Sequence, residues 1–459
     1  MSKERAKEKL ALEGGLKAVG SIQGKGKPKV GLEEFMAIAE RFGFSPETLE
    51  KIKTAAETEE SDTGPYLANY YSGLKQTKNQ ELAAVACKVF GVDYAIPTSS
   101  GTGALHAAFV AAGVGPGTEV ICPAIGFYAT AAAVVASNGI PVFSDVDESM
   151  QMDPADIENH ITDRTVAIAP THYQGGVCDM PAIMKIARKH KLKVIEDCAQ
   201  ACGGQVKGRY VGTFGDLGCF SISAYKIVGG GEGGLILAKS KRLWERANQW
   251  AECGGLWRPV RFARPRYKGE LYCGTNYRMS ELEAAVNVVQ LKKMPATVKR
   301  FRAVKQRILK QLKPFREIVP QKINDLEGEV GYILRFFPET IELGEKIVEA
   351  LEAENISAGI RGSDKRDDWH IYHSMYPITY KQSPTEANCP YRCPLYLKAG
   401  GQVEYRMGDC PVADDLFDRS VAISLNQWYN AADCRNIARG INKVLSAYCT
   451  ADPDAAPWM

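Results

Sequence analysis

From about residue 84 onward, short apolar runs alternate with stretches in which apolar residues recur every three or four positions. The runs at 94–97, 120–123, 141–143, 166–170 and 194–196 have the length of buried strands. Between them, 103–112, 128–137 and 180–190 read as helices long enough to cross a sheet face. This succession predicts an α/β fold with a mainly parallel central sheet and helices over both faces. Two further strands, 218–223 and 234–238, lead into a helix over 241–252. A long helix over 280–294 opens with the capping pair Ser280 and Glu283.

The pattern then resets, which sets a large domain at 65–295 and a smaller C-terminal α/β domain at 296–459. Residues 1–64 read as a partly helical extension: GKGKPK precedes a helical pattern over 32–58, and the acidic ETEESD follows it. The extension is expected to pack across the main body. The stretch 363–412 reads as one long loop rich in Pro, Tyr, Cys and Gly, and loops of that length usually carry function or are disordered. Its aromatic residues favour function.

Composition narrows the partners. A net charge of +3 without a long run of one sign argues against a nucleic-acid or anionic-membrane surface and leaves small molecules. Thirteen cysteines at irregular spacing make a poor disulfide framework and fit a reducing cytoplasm. The start, MSKERAKEKLALEGG, lacks the apolar stretch of a secretory signal. The most apolar segment, 129–135, is far shorter than the roughly 18 residues of a membrane span. A soluble, cytoplasmic protein is expected.

Three local patterns carry candidate chemistry. In Thr98-Ser99-Ser100-Gly101-Thr102-Gly103 a strand hands over to a helix, so N–H groups and hydroxyls converge where a phosphate would fit; a plain N-cap explains the same residues. Asp197 ends the strand Val194-Ile195-Glu196-Asp197, where open α/β sheets place ligands, and suits a metal, a ribose hydroxyl, a protonated ring nitrogen or a helix cap. Lys226 follows the strand Phe220-Ser221-Ile222-Ser223 and precedes the glycine run 229–234, a place where a lysine can be desolvated into a nucleophilic amine, although most lysines lie on the surface. A phosphate turn, then an acid, then a lysine is the arrangement required by pyridoxal 5′-phosphate: an anchor, a ring-nitrogen partner and an imine-forming amine.

The segments TSSGTGALH, GPGTEVICPAIGFYATAAAV, PVFSDVD, DMPAIMKIARKH, VIEDCAQACGG, GTFGDLGCFSISAYK, GEGG and GTNYRMSELEAAV, in this order, resemble the DegT/DnrJ/EryC1/StrS family of sugar aminotransferases. The opening LALEGGLKAV is similar to the branch containing glutamine:scyllo-inosose aminotransferases and aminohydroxybenzoate synthases. The resemblance implies the fold-type I (aspartate aminotransferase-like) architecture and pyridoxal 5′-phosphate as cofactor. Lys226 would form the covalent link and then shuttle the proton, and Asp197 would keep the ring nitrogen protonated. Gln200 would sit near the phenolic oxygen; Gly101, Thr102 and Ser221 would hold the phosphate; and Phe127, or its neighbour Tyr128, would stack on the ring. Asn276 would reach the phosphate in a neighbouring subunit, implying a homodimer with shared active sites. Gly126, Ala132 and the Ser-Ala-Tyr before the lysine depart from the commoner family pattern, so the resemblance does not fix the substrate contacts.

The implied reaction moves an amino group from an amino acid donor, glutamate or glutamine, to a keto-sugar, nucleotide-sugar or cyclitol acceptor. For the substrate, Trp257 and Arg258 open a basic stretch, 257–268, with no acid in it, which fits an anionic group as well as it fits a solvated surface. His172 and His370 are further candidates, each with an ordinary structural alternative. No metal site is expected, because Cys198 with Cys202 and Cys389 with Cys393 lack zinc-ligand spacing and histidine partners. Competing readings are a dehydratase or other lyase of the same family, disfavoured because those dehydratases carry histidine where Lys226 stands; a nicotinamide oxidoreductase using the glycine run; and a non-catalytic binding or regulatory protein.

Overall fold

A computed structural model describes residues 9–21, 30–58, 76–255 and 264–459. The chain divides into two compact units, Met1–Leu74 and Lys75–Met459. In the first, the expected helical stretch is two helices, α1 (Leu32–Ala39) and α2 (Pro46–Glu57), parted by Gly43 at φ +70°. The Ser45 hydroxyl caps α2 by accepting from the Thr48 N–H, and Pro46 fits the first helical position because it has no N–H to leave unpaired.

The second unit begins with α3 (Lys78–Phe90) and is built on a seven-stranded sheet. Its strands are β1 (Tyr94–Thr98), β2 (Glu119–Pro123), β3 (Ile140–Ser144), β4 (Thr165–Ile168), β5 (Lys193–Asp197), β6 (Leu217–Ser221) and β7 (Gly234–Ala238). Across the sheet the order is β1-β7-β6-β5-β4-β2-β3, with β7 running against its neighbours and the other strands parallel to one another. Strands covered on both faces are apolar nearly throughout, which is why they stand out in the sequence.

One face carries α4 (Gly101–Ala112), α5 (Ala129–Ala136) and α7 (Lys241–Ala251); the other carries α3, α6 (Met180–His190) and α8 (Glu281–Leu309). The alanines of α4 and α5 are mostly buried and let these helices approach the sheet closely. The helix expected to end at 294 runs on to Leu309 through Pro295. Leu291, Met294 and Val298 stay buried across the proline, and Val304, Ile308 and Leu309 enter the next core, so burial outweighs a penalty of about 3 kcal/mol. The boundary expected at 295 therefore falls inside a continuous helix.

The C-terminal part forms a smaller α/β layer. Antiparallel strands β8 (Ile318–Pro320), β9 (Ile333–Pro338), β10 (Ala358–Gly359) and β11 (Val421–Ser424) are ordered β8-β9-β11-β10 and packed by α8, α9 (Ile341–Ala353) and α10 (Ala431–Tyr448). The stretch 363–412 is mostly irregular, with short helical turns at 372–374, 376–379 and 394–398, and it buries Ile371, Tyr372, Met375, Ile378 and Tyr396 against the large sheet's core or its margin. Ile371 bridges Ile125 antiparallel; the N–H groups of Gly126 and Tyr128 donate to the carbonyls of His370 and Trp369, each at 2.9 Å.

Candidate active site

The parallel strands β1, β5 and β6 all deliver their carboxyl ends to one edge of the sheet. At the end of β5, Asp197 is 3% exposed and doubly held. Its Oδ2 accepts from the Thr130 hydroxyl at 2.5 Å and its Oδ1 from the Ala199 N–H at 3.0 Å. These bonds hold both carboxylate oxygens in place.

Beyond β6 the chain turns, with the Lys226 N–H donating to the Ser223 carbonyl at 2.9 Å. Burial pushes the Lys226 amine below the ordinary lysine range, while the negative charge of Asp197 pulls it the other way. At the start of α4 the Ser100 hydroxyl accepts from the Gly103 N–H at 3.0 Å, so the cap and the first helical residues, Gly101 and Thr102, line the same cavity. A Cβ on Gly101 would lie 2.7 Å from Ser221 Cβ, so only glycine lets the helix start this close to β6.

Gly101, Thr102, Phe127, Asp197, Gln200, Ser221, Lys226 and His370 line one cavity of about 360 Å³. Of the two aromatic candidates, Phe127 is on its wall and lies 5.2 Å from the His370 ring, whereas Tyr128 packs on Trp369 at 4.9 Å. His370 Nδ1 meets Asp368 Oδ1 at 2.7 Å, and that bond, ahead of the opposing effect of burial, holds the Asp368 carboxyl below its usual range. A second, outer cavity of about 450 Å³ shares Ala199, Gln200, Tyr225, Lys226 and His370 with the first and adds Gln174, Tyr332 and Gln427.

The remaining candidates lie elsewhere. His172 is a correction: its side chain is fully buried, its Nε2 meets Glu196 Oε2 at 3.3 Å and its Nδ1 accepts from the Cys178 N–H at 3.1 Å, so it cannot touch a substrate. His172, Glu196 and Cys198 come within metal-ligand range of one another, but Glu196 is already spent on the Gly212 and Gly215 N–H groups at 2.7 and 2.6 Å. The group is a strut under the β5 terminus, where the His172 N–H also donates to the Asp197 carbonyl at 2.9 Å. Asn276 is exposed, accepts from the Arg278 N–H at 3.1 Å, and lines neither cavity. Trp257 and Arg258 lie outside the described residues; in the rest of that basic stretch, Arg266 is tied to Glu245 at 2.7 Å and Glu270 at 2.5 Å.

The glycine run 229–234 joins the antiparallel pair β6 and β7 and opens no helix, so it is no dinucleotide loop. Its glycines serve contact with α8: a Cβ on Gly230 would sit 2.7 Å from Asn287, and one on Gly231, at φ +131°, 2.9 Å from Glu283.

A profile of the DegT/DnrJ/EryC1/StrS aminotransferase family matches residues 68–393. The chain belongs to the DegT/DnrJ/EryC1/StrS aminotransferase family. Among its relatives, a UDP-N-acetyl-3-dehydro-alpha-D-glucosamine 3-aminotransferase of Acidithiobacillus ferrooxidans is 37% identical over 80% of this chain and 89% of that enzyme. A GDP-perosamine synthase of Escherichia coli O157:H7 is 39% identical, over 46% of this chain and 57% of that enzyme. An L-glutamine:2-deoxy-scyllo-inosose aminotransferase of Micromonospora echinospora is 37% identical over 52% of the chain and, again, 57% of the relative. The aminotransferase from Psychrobacter cryohalolentis superposes with a TM-score of 0.66 at 27% identity, covering 83% of this chain and 93% of that one. The fold is that of fold-type I aminotransferases, shared also by a Bacillus subtilis relative solved with bound cofactor PMP (TM-score 0.62, 23% identity, 81% of this chain and 78% of that one).

Within this family member, the residues that sequence reasoning missed are mostly neutral polar ones. Thr130 stands alone in an alanine run, and a hydroxyl among alanines was its one signal. Gln174 adopts φ +44°, and Tyr332 and Gln427 come from the C-terminal layer with no motif around them.

Proposed function

We propose that this aminotransferase binds pyridoxal 5′-phosphate and moves an amino group from glutamate or glutamine to a keto group on a sugar, nucleotide-sugar or cyclitol. The observation that carries the reading is the pairing, on one cavity wall, of a desolvated lysine with a buried carboxylate fixed by two donors. The residues fit the cofactor. Gly101, Thr102, Ser100 and Ser221 form an anion cradle at a helix start, Asp197 supplies the charge that a protonated ring nitrogen needs, and Phe127 offers a ring face.

When bound, the cofactor supplies a carbonyl that exchanges amines and a ring that draws off electrons. Lys226, whose basicity burial lowers, would hold the cofactor through Nζ and would carry a proton at that atom. Asp197 cannot swing away, because Thr130 and the Ala199 N–H hold both oxygens. Gln200 has its Oε1 occupied by the Gln174 N–H at 2.9 Å, so its amide N–H₂ is the group left to donate to a phenolic oxygen.

The names of the relatives support a sugar or cyclitol acceptor. An Asn276 exposed outside its own protomer's cavities supports a homodimer in which it serves the partner's site. Thirteen unpaired cysteines support a reducing, cytoplasmic setting. Protein purified with the cofactor should show a visible absorption band that borohydride removes and Lys226→Ala lacks, and L-glutamate should bleach it. A band unchanged in Lys226→Ala would refute the assignment.

A further inference from the structure

The glutamines of the outer cavity share one constraint. A guanidinium has only N–H donors, so an amide that meets it must present its oxygen. Gln174 Oε1 accepts from Nη2 of Arg335, and Gln427 Oε1 accepts from Nε and Nη2 of Arg300 at 3.0 and 2.6 Å. Gln200 Oε1 takes the Gln174 N–H. Every glutamine on this wall therefore has its oxygen engaged and its N–H₂ group without a described partner. Thr297, on the same wall, accepts from Arg300 Nη2 at 3.2 Å, which frees its own proton for donation.

The charge balance points the same way. Among the described residues, no Asp or Glu lines the outer cavity. Behind Gln174, Arg335 is 6% exposed; besides Gln174 it donates to the Ser420 hydroxyl and lies over the Tyr173 ring, and no described carboxylate pairs with it. A buried cation met only by neutral oxygens lacks a counter-charge, which an anionic ligand in front of Gln174 would supply.

We propose that the outer cavity is an oxyanion subsite, in which the amide N–H groups of Gln174 and Gln427, each polarised by the arginine behind it, bind a carboxylate or phosphate. It rests on the aminotransferase reading, since Lys226 lies on the same wall and the anion would belong to a reacting molecule. The carboxylate of the amino donor and the phosphate of a nucleotide-linked acceptor present the same chemistry.

Calorimetric titration of the cofactor-loaded protein with succinate and with inorganic pyrophosphate tests it. One of the two binds wild type, and Gln427→Glu and Gln174→Leu each weaken that binding about tenfold or more, the scale of one charge-assisted hydrogen bond. If succinate is the occupant, the KM for L-glutamate rises in parallel; if pyrophosphate, it does not. The variants keep the visible cofactor band and the wild-type melting curve, which separates this result from misfolding. If neither anion binds, or binding ignores both substitutions while the band is intact, the subsite is wrong. A missing band in wild type indicts the cofactor assignment instead, and the same titrations on apoprotein still decide the subsite.

Discussion

Two influences meet at Lys226. Loss of water around the amine disfavours its charge, and the Asp197 carboxylate restores part of it; burial is the larger, so the amine titrates below the ordinary lysine value. Cofactor capture by the apoprotein needs the neutral amine. Its rate should therefore rise with pH and level off with a midpoint below the ordinary value of about 10.4. Stopped-flow absorbance across pH measures this, and a midpoint at or above that value contradicts the geometry. The companion prediction concerns Thr130, whose hydroxyl is one of two donors to Asp197. Thr130→Val keeps the shape and removes the donor, at about 1.5–3 kcal/mol for a hydrogen bond to a charge, so cofactor retention should weaken about tenfold or more in equilibrium dialysis. Lys226 and Asp197 could be found in the sequence because they follow or end strands and carry charge. Thr130, Gln174 and Gln427 could not, since a neutral polar residue gains its role only from the neighbour that folding brings to it.

At the scale of elements, the site depends on close approaches. The start of α4 touches the end of β6 at Gly101 and Ser221, and a methyl group there overlaps Ser221. Gly101→Ala should cost about 1–3 kcal/mol by overpacking and displace the anion cradle, so the melting temperature and cofactor affinity fall together. The strands of the large sheet matched expectation to within one or two residues, because burial on both faces leaves an unbroken apolar run. The end of α8 did not, because proline is a local stop that distant cores override. The stretch 363–412 read as a loop from its Pro, Tyr, Cys and Gly, and its backbone is mostly irregular; Ile371 and Tyr372 anchor it by packing beside β2 and β3.

For the whole molecule, the exposed apolar residues bear on assembly. Leu282, Val286 and Val289 form a stripe along α8 at 43%, 38% and 49% exposure, and Tyr225, next to the lysine, is fully exposed. A homodimer sharing active sites predicts complementation. Lys226→Ala and Asn276→Ala chains, each inactive alone, should regain about a quarter of the wild-type rate when refolded together, because half of the two-fold dimers are mixed and each has one intact site. No recovery, with mixed dimers verified by mass, would mean that Asn276 does not cross the interface.

The sequence by itself determined the α/β layering, the strand ends that carry chemistry and the family, because these follow from local periodicity and from motifs that stay contiguous along the chain. The tertiary structure decided that His172 is a buried strut, that Phe127 and not Tyr128 faces the cavity, and that 363–412 supplies His370 to the wall. It also decided which amide atoms remain free in the outer cavity. Burial, ring contacts and the direction of an amide are set by neighbours that only folding brings together, so no local pattern records them.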